Sequence, residues 1–152
     1  MPTPVPPEAA AIIRLKKLQY CRAADTQDWN LFESVHSPDV TVHMVDNTGT
    51  TLNESGIEHK FSSRDEWMTA VKAIVSSMQI HHTVAEPELE LIGPGVIKGI
   101  WNVTYHMGTK GPEGGTLSTG GGFYYETWKK IGDDWFMGDM VMRRAFWKIA
   151  KC

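Results

Sequence analysis

"WMTAVKAIVSSMQIHHTV", residues 67–84, is where the chain changes its period. Trp67, Ala70, Val71, Ile74, Val75 and Met78 fall at i, i+3, i+4, i+7, i+8 and i+11, a single apolar helical stripe. Ser63 and Glu66 stand just ahead as a capping box, which satisfies two free N–H groups at the helix start. After Met78 the pattern alternates with a period of two. "IHHTVAEPELELI" (80–92), "VIKGIWNVTYHMG" (96–108), "GGGFYYETWKK" (120–130) and "WFMGDMVMRRAFW" (135–147) read as long strands. "GPG" at 93–95 and "GDD" at 132–134 supply tight connections, and "TKGPEGGTLST" (109–119) a longer glycine-rich loop.

Working back toward the start, residues 8–24 form a helix behind Pro6 and Pro7, where missing N–H groups cost least. Ile12, Ile13, Leu15, Leu18 and Tyr20 give it a broad apolar surface. A shorter helix at about 27–35 carries Trp29, Phe32 and Val35; "SPDV" ends it, and "VTVHMV" (40–45) alternates as a strand. The polar stretch "DNTGTTLNESGIEHK" (46–60) reads as a loop or weak hairpin placed to cover something. Helices followed by a run of antiparallel strands predict an α+β fold. Its form would be a cone, a curved antiparallel or mixed sheet wrapped on three helices around one pocket. The proline-rich lead, 1–7, is expected to be disordered, with residues 8–150 as one domain, the number that 152 residues suit.

Bulk properties narrow the function classes. Fifteen basic against eighteen acidic residues give a net charge of -3, with no basic run of the kind a nucleic-acid partner requires. No apolar run reaches the roughly 18 residues of a membrane span, and the start lacks a signal peptide's charged and apolar regions. Cys21 and Cys152 are read as free thiols in a reducing compartment, so the expected location is the cytoplasm.

Parity then sorts the polar residues. His36 and His59 fall in turns and are expected to be exposed, while His43 opposes Val42 and Met44. His81 and His82 point opposite ways, so one of them enters the interior, where an imidazole needs partners. On the next strand Asn102, Thr104 and His106 form a polar row opposite Trp101, Val103 and Tyr105. The polar row is either bulk surface or the lining of a cavity. Asp25 has two readings as well. It can cap the second helix, with Asp28 in that helix's first turn, or it can accept a hydrogen bond from a histidine Nδ1–H. A metal site of His82, His106 and Asp25 lacks any short ligand spacing to support it. "GGG" at 120–122 reads as a bulge, and Asp139 as an interior acid or a residue on a wet face.

The order of elements, together with "YCRAADTQDWNLF", "MQIHHTV", "VIKGIWNVTYH" and "YYETWKKIGDDW", resembles the SnoaL-like branch of the NTF2-like superfamily. Within it the chain resembles scytalone dehydratase and the bile-acid 7α-dehydratases. The resemblance spans about residues 8–147. It implies a cofactor-free acid–base enzyme, with His82 as base, Asp25 orienting it, His106 as a second active-site histidine and Tyr20 as an acid. Two substrate-holding tyrosines of scytalone dehydratase are replaced here by Ala24 and Met44. A serine and asparagine pair is replaced by Gly122 and Tyr124. The acid–base pair therefore carries over and the substrate does not.

Strand parity adds Tyr124, Glu126 and Trp128 to the cavity wall, with Met44, Asn102, Thr104 and Asp139 as further candidates for binding substrate. Tyr20 and Asp25 lie about 140° apart on an ideal helix. Both reach the cavity only if the helix stops near Ala24 and the chain turns inward. The expected function is dehydration of a hydrophobic, carbonyl-bearing, natural-product-like molecule. Isomerisation or cyclisation on the same base is an alternative, as is a non-catalytic binding or dimerisation module. An apolar outer face of Trp101, Val103 and Tyr105 would serve a homodimer, or a trimer.

Overall fold

The computed structural model describes residue 1 and residues 3–152. Its elements are α1 (Pro7–Thr26), α2 (Trp29–Val35), β1 (His36–Val45), β2 (Asn53–Glu54), β3 (Ile57–Glu58) and β4 (Lys60–Phe61). There follow α3 (Arg64–Val75), β5 (Met78–Val84), β6 (Glu88–Gly93), β7 (Val96–Thr109), β8 (Thr116–Ile131) and β9 (Asp134–Lys151). One curved, unclosed sheet runs β4-β1-β9-β8-β7-β5, with β6 also on β7. β1 and β9 are parallel and the other pairs antiparallel, so the sheet is mixed. β2 and β3 form a separate hairpin within the 46–60 segment.

The helix boundaries follow local chemistry. Ser63 Oγ accepts the Glu66 N–H at the start of α3, while the Glu66 carboxylate reaches back to the Ser62 N–H, one residue before the expected partner. α1 does not stop at Ala24. It continues through Asp25 to Thr26, and Gln27 in the left-handed conformation (φ 56°) closes it. The cap of α2 is Asp28, whose side chain accepts from Leu31 N, so Asp25 does not cap. Ahead of α1 the stretch expected to be disordered has contacts. Val5 packs against the core, and the Thr3 carbonyl accepts the Leu91 N–H.

Burial corrects three patterns. The inner stripe of α1 is Ala9, Ile13, Lys17, Tyr20, Cys21 and Ala24, while Leu15 and Leu18 are each 56% exposed. A lysine occupies the middle of that stripe because Glu126 on β8 meets it. The strand expected at 80–92 is two strands, β5 and β6, broken around Pro87 and laid end to end along β7. On β7 the row Trp101, Val103 and Tyr105 faces the core, and Asn102, Thr104 and His106 face solvent. The surface expected to serve a partner subunit is thus the inside of the cone. Three large apolar side chains in line favour burial, each worth about 1.5–3 kcal/mol.

The glycine run does act as a bulge, with the β8–β9 register shifting between Gly121 and Gly122. A Cβ on Gly122 would lie 2.0 Å from the Arg143 carbonyl oxygen. Gly120 serves another purpose. The phenol of its cross-strand partner Tyr105 occupies the space where a Cβ would stand, 2.6 Å from that position.

Candidate functional site

β5 is an edge of the sheet, bonded to β7 on one side only. His82 on this strand points inward and His81 outward, as alternation requires. The last turn of α1 runs along the open side of β5 and places Asp25 beside it. Asp25 Oδ2 accepts the His82 backbone N–H at 2.9 Å, and Oδ1 accepts the ring Nδ1–H at 2.6 Å. One carboxylate therefore holds both the backbone and the ring of one residue. With Nδ1 carrying the proton, Nε2 keeps its lone pair. The two side chains are 11% and 12% exposed, and His81 approaches the same carboxylate at 3.5 Å from the solvent side. Tyr20 and Asp25 do leave α1 on different faces. Tyr20 points into the cone and Asp25 sideways onto the edge strand, so no break in the helix is needed.

His82 lines a compact cavity of about 100 Å³ that opens to solvent. The wall is chiefly apolar, with Phe32, Met44, Trp67, Val71, Ile80 and Met107 among its residues. Tyr105 is the cross-strand partner of His82 in the β5–β7 ladder, and their ring centroids are 6.2 Å apart. Arg144 Nε donates to the Tyr105 hydroxyl oxygen at 2.9 Å, and Arg144 Nη2 to Glu54 Oε1 at 2.5 Å. Because that oxygen already accepts from a cation, the phenol proton is free to be donated into the cavity. Burial raises the Tyr105 pKa more than Arg144 lowers it, so the group stays protonated at neutral pH. His59 completes this wall, buried, with burial depressing its pKa.

The closed end of the cone holds a different cluster. Lys17 Nζ donates to Glu126 Oε2, and Trp128 Nε1 donates to Glu126 Oε1 at 3.1 Å. The ammonium also lies over the Tyr124 ring at 3.5 Å and the Tyr20 ring at 4.1 Å. Both tyrosines reach the cavity, and burial pushes their pKa values well above the ordinary phenol. Burial likewise pushes the Cys21 thiol up to about 11, which leaves it unreactive.

The model of the SnoaL-like domain family matches residues 8–141. The chain belongs to that family. A relative named as the probable cyclase FGR4 of Gibberella zeae is 46% identical over 145 residues, 95% of this chain and 97% of that one. Among solved structures, a candidate scytalone dehydratase from Novosphingobium aromaticivorans has a TM-score of 0.74 at 12% identity, covering 91% of this chain and 85% of its own. A hexachlorocyclohexane dehydrochlorinase, LinA-type3 from Novosphingobium barchaimii, has a TM-score of 0.77 at 14% identity over 94% and 90%. At such identities the two structures speak for the fold alone.

Within this SnoaL-like cone, His82, Tyr20, Met44 and Tyr124 line the cavity, and Asp25 stands behind His82 on its Nδ1 side without lining it. Glu126 and Trp128 face inward but lie beneath the floor, used up in the Lys17 cluster. His106, Asn102 and Thr104 are on the outer face, His106 opposite His81, so none of them lines the cavity. Asp139 is also outside, accepting from Thr41 Oγ1 at 2.5 Å. Among the described residues no group of three histidine, cysteine or acidic side chains could hold a metal ion. His36 and His59, expected in exposed turns, are both buried. His36 Nδ1 bonds the Phe32 carbonyl at 2.8 Å, and burial lowers its pKa to about 4.

Tyr105, Arg144, Glu54 and His59 were not among the sequence-derived candidates. A signal for the first existed: residues paired across antiparallel strands share a face, so an inward His82 brings Tyr105 with it and sends His106 out. Glu54 and His59 lie in a segment without periodicity, where nothing in the sequence aims a side chain.

Proposed function

We propose that the protein is a cofactor-independent acid–base enzyme acting on a hydrophobic, carbonyl-bearing small molecule of the natural-product type. The observation that carries this reading is the Asp25 clamp, which fixes the proton on Nδ1 of His82 and leaves Nε2 at an apolar cavity. In the proposed step Nε2 removes a proton from the carbon next to the carbonyl. The electron pair moves onto the carbonyl oxygen, and the Tyr105 O–H donates a hydrogen bond to the enolate that forms. Tyr105 takes the place expected for His106, with Tyr20 as a second phenol in the same cavity.

Ring closure and dehydration diverge from this enolate. In ring closure its carbon attacks a second carbonyl carbon, and the new alkoxide recovers the proton from His82. In dehydration the enolate expels a neighbouring hydroxyl, which leaves as water with that proton. The name of the 46% identical relative supports ring closure. Dehydration, the second reading, is supported by the likeness of His82, Asp25 and Tyr20 to the scytalone dehydratase site residues, with His82 and Tyr20 lining the cavity and Asp25 bonded to His82.

The shared first step can be tested without the natural substrate. The protein should catalyse deuterium wash-in next to the carbonyl of 2-tetralone in D2O, and His82→Ala should abolish it. Asp25→Asn should slow it, because an amide no longer stabilises the imidazolium that forms. Wash-in no faster than buffer, or a rate indifferent to His82→Ala, would sink the reading.

A further inference from the structure

His59 is held rigidly and has unused hydrogen-bonding capacity. Its backbone N–H donates to the Leu52 carbonyl and its own carbonyl accepts the Met44 N–H, both at 2.9 Å, so the residue is pinned from two sides. Its side chain lines the cavity and the residue is 3% exposed. Neither ring nitrogen has a hydrogen-bond partner among the described residues. A buried imidazole without hydrogen-bond partners costs stability. The ring is therefore arranged for something that enters the cavity.

Its neighbours indicate the chemistry of the entering group. Arg144 and Glu54, paired at 2.5 Å, line the same wall and cancel in charge. Burial keeps His59 neutral, so the ring has one N–H to give and one lone pair to receive. A carboxylate drawn to Arg144 would also meet the Glu54 carboxylate. A neutral oxygen, hydroxyl or keto, meets no such opposition. The position is also distinct from the base. His59 immediately precedes β4 and His82 lies on β5, the two opposite edges of the sheet path, so they approach the cavity from different walls.

We propose that His59, flanked by Glu54 and Arg144, is a second recognition point that takes a neutral hydroxyl or keto group of the substrate on a different wall of the cavity from the base. The substrate class is then a compact apolar molecule with two separated oxygen functions. The assignment rests on the acid–base reading for which end reacts, but binding at His59 is measurable without turnover.

The test compares three probes on one frame by calorimetric titration: 2-tetralone, 6-hydroxy-2-tetralone and 6-carboxy-2-tetralone. The wild-type protein should bind the hydroxy compound roughly tenfold tighter than 2-tetralone, the worth of about one buried hydrogen bond, and the carboxy compound no tighter. His59→Leu should erase that preference while leaving 2-tetralone affinity in place. His59→Gln, which keeps a neutral donor and acceptor, should retain it. The inference is overturned if the wild-type protein shows no preference, if it favours the carboxylate, or if Leu and Gln at position 59 behave alike. His82→Ala separates the two proposals. Preference retained with wash-in gone supports both, preference without any wild-type wash-in removes only the acid–base reading, and wash-in without preference removes only the anchor.

Discussion

The two ends of the cone handle buried charge in opposite ways. At the closed end Lys17 and Glu126 are both wholly buried, and their capacity is spent on each other, on Trp128 and on two tyrosine rings. At the open end His82, Tyr105 and His59 each keep a donor or acceptor unspent beside the cavity. Burial alone does not mark a functional group, since the most deeply buried ion pair is the one least able to react. What distinguishes the open end is hydrogen-bonding capacity left unspent on side chains that line the cavity.

That contrast breaks first at His82. Replacing it with alanine should cost about 10²–10⁴-fold in the 2-tetralone wash-in rate, measured by NMR, with the unfolding midpoint little changed. If instead stability collapses and the rate per folded molecule holds, the open end is structural after all. At the closed end Lys17→Met should behave the other way round. Losing one partner of a fully buried pair should cost about 3–5 kcal/mol in urea unfolding, and adding Glu126→Leu should restore most of it.

The acid limb of stability probes a third buried group. His36 has a folded pKa of about 4 against 6.5 unfolded, so the unfolded chain takes up the proton first as pH falls. Its contribution is complete above about pH 6.5 and is lost progressively down to about pH 4, for a total on the order of 3 kcal/mol. His59, depressed by burial as well, adds a loss of the same sign. Urea midpoints from pH 7 to pH 4.5 should fall accordingly, and His36→Phe should flatten the slope. The smallest expected effect is at the proposed donor. Tyr105→Phe should slow wash-in by roughly ten- to hundredfold, the range for a hydrogen bond to a charged group. Gly120→Ala should produce a similar loss by pushing the phenol aside.

Most of the fold was legible in the residues because the relevant signals are local. The Ser63 cap and the Trp67–Met78 stripe produced α3, and the turn to a period of two at Met78 produced the sheet. The helix–strand order with "AADTQDW" and "IHHTV" brought Asp25 and His82 together through the family resemblance, across 57 residues of chain. The misplacements have one physical origin. Alternation on β7 separates two rows but carries no label for inside, and the family resemblance assigns His106 of the polar row to the site. Its apolar partner row was the better guide, and with it His106, Asn102 and Thr104 move out and Tyr105 moves in. Lys17 was invisible for a related reason, since a periodic pattern scores lysine as surface and its counter-charge lies 109 residues away.

The bond from Asp25 to the backbone of His82 ties the placement of the imidazole to the protection of a sheet edge. β5 ends the sheet, and an uncovered terminal strand offers its N–H groups to any passing chain. The aspartate occupies one of those groups with a negative charge at the rim. A mutation there would release the imidazole and the edge N–H together, so one carboxylate serves two neighbours at once.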